Sequence, residues 1–226
     1  MKIKTNVSTT SVVDNGETKI EIPEDTPKEM PAIQQMLVDS ISQVVTWRPN
    51  ISEEQNFYVG VSPIEGVGKA LYAKRFIPKG SYILTFCGPL VCDAEATRRD
   101  MANFGRIMGN ELQIGPDFYV YLQEPGRLIN HSCESNAGIK DDTILVATKD
   151  IQKDEEITFD YSSTMDEGEI WAMECKCGQP NCRGYAADFR TLPRETRQKY
   201  LQCGLVQNFI KVQYDAETGE PLPKSS

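Results

Sequence analysis

The sequence predicts a compact, mostly β fold of short, mainly antiparallel strands, interrupted by one small helical insert and flanked by N- and C-terminal helices. Two observations carry that prediction. Between Phe57 and Ile170 the chain runs through short β-branched and aromatic stretches broken by Gly, Pro and Asp: FYVGV, KALYAKRF, SYILTF, DFYVYL, TILVAT and EITFDY. Upstream of it, from Ala32 to Val45, the apolar residues recur at helical spacing.

Residues 1–27 mix Thr, Ser, Asn, Glu and Pro without a sustained period and are expected to be largely mobile, apart from an alternation at Lys19 to Ile22 that suits a short strand. Residues 28–56 hold an N-terminal helix and a linker: from Ala32 to Val45, Ile33, Met36, Leu37, Ile41, Val44 and Val45 predict an amphipathic helix, with Pro31 in its first turn, packed on the main domain. The strands follow over 57–163. Asp93 to Phe104 reads as a helix capped by Asp93, and the remainder to Gly115 as an irregular insert. A cysteine-rich module spans 171–190. Residues 191–214 open a helix running to about Leu201, with a further turn or two around Leu205 to Val212 after Gly204. The ending, 215–226, is polar and Pro-rich and is expected to fray.

The 226 residues suffice for one substantial core and a small satellite. A formal net charge of −9 argues against a nonspecific grip on nucleic-acid phosphates and favours a basic protein or peptide partner. With no long apolar run and no signal-like start, the expectation is a soluble intracellular protein without a membrane partner. Monomer and dimer both stay open.

Cys175, Cys177 and Cys182 crowd three thiols into eight residues, which suits a metal in a reducing compartment better than disulfides or a redox pair. Zinc in a closed structural site takes four ligands. The fourth is a distant cysteine, the single histidine His131, or a carboxylate. Cys133 is the attractive candidate, because it lies in a second polar loop, Arg127 to Asn136, and a shared metal would clamp the two loops. In the alternating stretch ending FDY, Phe159 and Tyr161 share one face. Gly66-Val67-Gly68 is a glycine pair where backbone can approach a ligand.

Taken in order, GVGKALYAKRFIPKG, RLINHSCESNA, EEITFDYS and CKCGQPNCRG resemble the SET-domain protein-lysine methyltransferases followed by a post-SET zinc module. The resemblance covers about residues 57 to 190. It implies a β-clip fold in which RLINHS and EEITFDY pass beside each other as a pseudoknot, an exception to the rule against threaded chains. It implies S-adenosylmethionine as methyl donor and structural Zn2+ as a second cofactor. Tyr161 matches the catalytic tyrosine, and Phe86 and Phe159 match substrate-channel positions. Gly66, Val67, Gly68, Arg127, Asn130, His131 and Tyr185 would bind or border the methyl donor, and Cys133, Cys175, Cys177 and Cys182 would bind the metal. Tyr185 or Phe189 would cover the cofactor or channel. Phe159 favours products beyond monomethyl-lysine. The partner implied is a histone tail lysine, which would place the protein in the nucleus. The alternatives are a non-histone lysine substrate, with a cytoplasmic location, or an inactive SET-like peptide-binding module. Phe86 stands where the family usually carries a tyrosine, and no cysteine precedes Cys87, so the cysteine-rich segment that often precedes such domains is missing.

Overall fold

The computed structural model describes residues 10–14, 17–21, 55–64, 66–92, 95, 96, 98, 99, 102, 109–167 and 171–223. The chain divides into two compact units, residues 1–40 and 41–226. In the first, β1 (Thr10–Asp14) and β2 (Glu17–Glu21) pair as an antiparallel hairpin. The helix expected over 32–45 and the Asp93 cap lie outside the described residues.

In the second unit, the FYVGV and KALYA stretches become β3 (Phe57–Val61) and β4 (Lys69–Ala73), paired antiparallel from Val61 opposite Lys69. The connecting loop carries the glycine pair. β5 (Tyr82–Thr85) lies beside β11 (Ile144–Ala147), which pairs in turn with β10 (Ala137–Lys140). A second three-stranded sheet has the order β6 (Leu90–Val91), β8 (Phe118–Tyr121), β7 (Glu111–Gly115). Leu71, Ile77, Phe86, Ile139, Leu145, Ile151 and Ile157 fill the core these sheets share with the loops between them.

The expected irregular stretch up to Gly115 is thus partly a strand. Glu111 to Gly115 pairs with β8 across a two-residue turn, a partnership that local composition does not reveal. Glu95, Ala96, Arg98, Arg99 and Ala102 are helical, as expected, and Glu95 forms ion pairs with Arg98 and Arg99 one turn on.

Two strands far apart in sequence meet in parallel: β9 (Asn130–His131) and β12 (Thr158–Phe159), with Phe159 opposite His131. The segment leading into β12 also bonds β4, through Ala73 N–H to the Glu155 carbonyl and Ile157 N–H to the Leu71 carbonyl. Asn136 secures it from the other side. Its amide donates to the Glu155 carboxylate and the Glu156 carbonyl at 2.8 Å and its carbonyl accepts from Thr158 N–H at 3.0 Å.

Beyond the cysteine-rich module, where β13 (Met173–Glu174) pairs β14 (Tyr185–Ala186), come α1 (Arg194–Cys203) and α2 (Asn208–Lys211). Gly204 ends α1 at φ 63°, returning its N–H to the Tyr200 and Leu201 carbonyls. Phe189, Leu192, Leu201, Val206, Ile210 and Tyr214 form a separate apolar cluster beneath them. The ending does not fray over its described part. Arg194 and Arg197 donate to the Thr218 and Gly219 carbonyls, and Leu222 N–H bonds the Gln213 carbonyl at 2.7 Å. Arginines reaching in from α1 supply partners that a polar, Pro-rich composition does not announce.

Candidate active site and thiolate cluster

The sulfur atoms of Cys133, Cys175, Cys177 and Cys182 all lie within 4.8 Å of one another. Cys133 and Cys175 are 3.7 Å apart. A tetrahedral zinc site with Zn–S of about 2.3 Å has S–S edges of about 3.8 Å, so the donor set and its size fit that metal. Burial pushes the Cys175 thiol well up. At Cys177 burial also raises the thiol, but N–H groups of Cys133 and Gln179 outweigh it and hold the value at about 7. The cluster joins the loop after β9 to the module after β12, as the choice of Cys133 requires.

From Phe159 to Tyr161 the chain alternates. Phe159 and Tyr161 line a cavity together with Ile129, Tyr119, Met165 and Trp171. The Phe159 and Tyr161 ring centroids are 4.8 Å apart and Tyr161 and Trp171 are 6.1 Å apart. The Trp171 ring sits in a notch above Gly109: a Cβ there would come within 2.7 Å of the indole nitrogen. Phe86 is one ring further back, fully buried, 5.5 Å from Phe159 edge-on and pressed against Gly126. It supports the Phe159 wall and does not line the cavity.

The Tyr161 hydroxyl donates to the Ile129 carbonyl at 2.7 Å. Burial, reinforced by Glu156, pushes its pKa far above the ordinary phenol value, so it stays protonated. Its backbone N–H donates to Nδ1 of His131 at 3.2 Å, and Nε2 of His131 lies 3.4 Å from the Cys133 sulfur. Burial lowers the imidazole to about 4, with Asp160 opposing and Arg183 assisting. His131 is therefore neutral, and its 3.6 Å approach to Asp160 is not an ion pair.

Asp160 turns the other way, with 1% of its side chain exposed. Arg183 grips it with two nitrogens, at 2.7 and 2.9 Å, and the Tyr200 hydroxyl donates at 3.0 Å. Ser162 N–H adds a fourth bond at 3.2 Å. Burial works against the Arg183 charge, but the Asp160 carboxylate outweighs it and keeps the guanidinium charged.

The remaining predicted residues fall in two groups. Asn130 donates to the Glu156 carboxylate at 2.8 Å and the Lys69 carbonyl at 3.3 Å, which brings the strand after Gly68 beside β9. Gly66 and Gly68 hold φ of 83° and 84° in an exposed loop. Arg127 borders the cavity and forms an ion pair with Glu124. Tyr185 is exposed on β14, whereas Phe189 is fully buried in the C-terminal cluster against Tyr214. Phe189 therefore covers neither cofactor nor channel: α1 and α2 pack over it.

Residues 68–162 match the family model described as the SET domain. These residues form a SET domain. Among curated proteins, the chain is 30% identical over 150 residues to the H3 lysine-9 specific histone-lysine N-methyltransferase of Schizosaccharomyces pombe, covering 52% of this chain and 30% of that one. It is 30% identical over 144 residues to histone-lysine N-methyltransferase 2D of Homo sapiens, covering 58% of this chain and 2% of that one. The chain thus spans less than a third of the length of these relatives. Among solved structures, the methyltransferase domain of human histone-lysine N-methyltransferase SETMAR is 24% identical with a TM-score of 0.46, covering 61% of each chain. The parallel β9–β12 pairing lies within the matched residues. The Asp160–Arg183–Tyr200 network and the cavity residues Trp171, Tyr119 and Met165 lay outside the sequence reading. The lone acid between two aromatics in FDY was their one visible signal.

Proposed function

We propose that this chain is a protein-lysine N-methyltransferase that uses S-adenosylmethionine and acts on a histone tail lysine. The observation that carries the reading is a protonated Tyr161 hydroxyl on the wall of an aromatic cavity, one strand from Asn130 and His131. The histone-lysine methyltransferase names of the curated relatives support it.

The residues fit the methyl donor. A Cβ at Gly66 or Gly68 would meet nothing within 4 Å, so this loop offers bare backbone to open space. Gly66, Val67, Gly68 and Asn130 would hold the donor, with Arg127 and Tyr185 at its border. The His131 imidazole is occupied by Tyr161 and Cys133, so His131 would contribute through its backbone. When bound, S-adenosylmethionine supplies a methyl group activated on a sulfonium.

The substrate side chain would enter along Phe159, Ile129 and Trp171. A lysine amine with reference pKa near 10.4 is neutral in only about one molecule in a thousand near pH 7.4. The apolar walls disfavour the ammonium and so favour the nucleophile. Tyr161 keeps its proton on the Ile129 carbonyl, which leaves its oxygen lone pairs to orient the amine for in-line attack. Cys133, Cys175, Cys177 and Cys182 would hold structural zinc, fixing the segment that carries Arg183. A net charge of −9 suits a basic tail, and a histone substrate would place the protein in the nucleus.

The test is transfer of labelled methyl to core histones and to denatured lysate proteins, with wild type beside Tyr161→Phe. Label on one histone, lost in the variant, supports the full reading. Label on other proteins moves the substrate away from histones. No label, with cofactor still bound, leaves a binding module.

A further inference from the structure

The thiolate cluster and Tyr161 are joined by a continuous path on the side of the chain facing away from the cavity. Arg183 N–H donates to the Cys133 sulfur at 3.4 Å, and its side chain clamps Asp160, the residue between Phe159 and Tyr161. We propose that, beside the His131 bridge between Cys133 and the Tyr161 backbone, the Arg183–Asp160 pair is a link by which the metal module positions Tyr161, with Arg183 and Asp160 as positioning residues; this rests on the methyltransferase and zinc readings above.

Three features support a positioning role over simple ballast. A bidentate guanidinium–carboxylate pair fixes orientation as well as distance, so Asp160 cannot rotate about its own axis without breaking a bond. Arg183 follows the metal-ligand residue Cys182 directly, with only 12% of its side chain exposed, so movement of the module must carry it along. Tyr200 pulls on the same carboxylate from α1, so the C-terminal segment contributes a second tie at the same atom, Oδ2. Because the backbone between Phe159 and Tyr161 is short and extended, a turn of Asp160 swings both aromatic walls.

The experiment uses the full chain, metal-loaded and with ring-labelled tyrosine. The Tyr161 resonance is assigned by its absence in Tyr161→Phe. Arg183→Gln, Asp160→Asn and the double variant are compared with wild type for metal content, donor affinity, the Tyr161 resonance, and kcat and KM of methyl transfer. Removal of a supporting partner of this kind lowers activity on the order of ten- to a hundred-fold. The expected result is that each single variant retains its metal, shifts the Tyr161 resonance and loses kcat by that order with KM little changed. The double variant should lose no more than either single one, since one link is broken in all three. Arg183→Lys, which keeps the charge but not the fork, should fall between, and it supplies the answer if the Gln and Asn variants fail to fold. An unmoved Tyr161 resonance, or additive losses in the double variant, overturns the proposal. If wild type transfers no methyl at all, the methyltransferase reading fails, while the resonance still decides whether the pair positions Tyr161.

Discussion

Phe159 and Asp160 are neighbours on one short strand and its end, yet they live in opposite environments. Phe159 faces a cavity of aromatic and aliphatic side chains, where Tyr161 joins it. Asp160 faces a buried network of an arginine, a tyrosine and a backbone amide. The alternation of a strand thus separates the surface proposed to meet substrate from the surface that holds it in place. The two faces should fail differently: one in chemistry with the fold intact, the other in stability first.

The sharpest way to break this comparison is at Tyr161. Tyr161→Phe should lower kcat about a hundredfold or more, by analogy with removal of a single preorganised polar group at a reacting centre. The loss of one hydrogen bond should cost only about 1 kcal/mol of stability. Steady-state transfer and a denaturant titration on one sample measure both numbers.

Asp160→Ala should add a large loss of stability to a smaller loss of rate than Tyr161→Phe. With the Arg183 charge left buried and unpaired, the expected destabilisation is about 3–5 kcal/mol, read from the denaturant midpoint at constant slope. If stability hardly changes, the two faces are not divided as argued. A chelator strong enough to strip the four thiols should then act like a mild form of that change. Methyl transfer should fall with metal content, and re-addition of zinc should restore both.

The pH profile gives a gentler discrimination. Because Tyr161 is pushed up by burial, it stays protonated through neutral and moderately alkaline pH. The rise in kcat/KM, about tenfold per unit, should therefore follow deprotonation of the substrate amine, whose reference value is near 10.4. Tyr161→Phe should show the same slope at a lower level. A slope that vanishes in the variant would assign the titration to the phenol instead.

The smallest change in rate is expected at Phe159. Phe159→Tyr adds a hydroxyl within an apolar wall, and the product should shift toward fewer methyl groups per lysine by mass spectrometry. Wild type yielding only monomethyl-lysine at long incubation would remove the basis for that expectation.

What could be read in the chain divides along the same line. The cavity face was legible because Phe159 and Tyr161 sit two apart in an alternating stretch, and the four thiols because three of them sit within eight residues. The support face was far less so: Asp160 shows only as the acid between two aromatics, and Arg183 and Tyr200 are scattered single residues that only folding brings to it. Glu111 to Gly115 was missed for a related reason, since its strand character comes from β8 across the turn. Phe86 was legible as an aromatic near the site, but not as a second row behind Phe159. Tertiary pairing decided these positions, and composition carries no trace of it.

The notch at Gly109 has a consequence for redesign. Because the Trp171 ring occupies the space a side chain at 109 would need, these two residues of the cavity wall fit together as a tongue and a groove. Trimming the tongue alone should widen the passage for bulkier amines or synthetic donors, and filling the groove alone should jam it. Exchanging both offers a route to an orthogonal enzyme that accepts an artificial substrate and leaves the natural one behind.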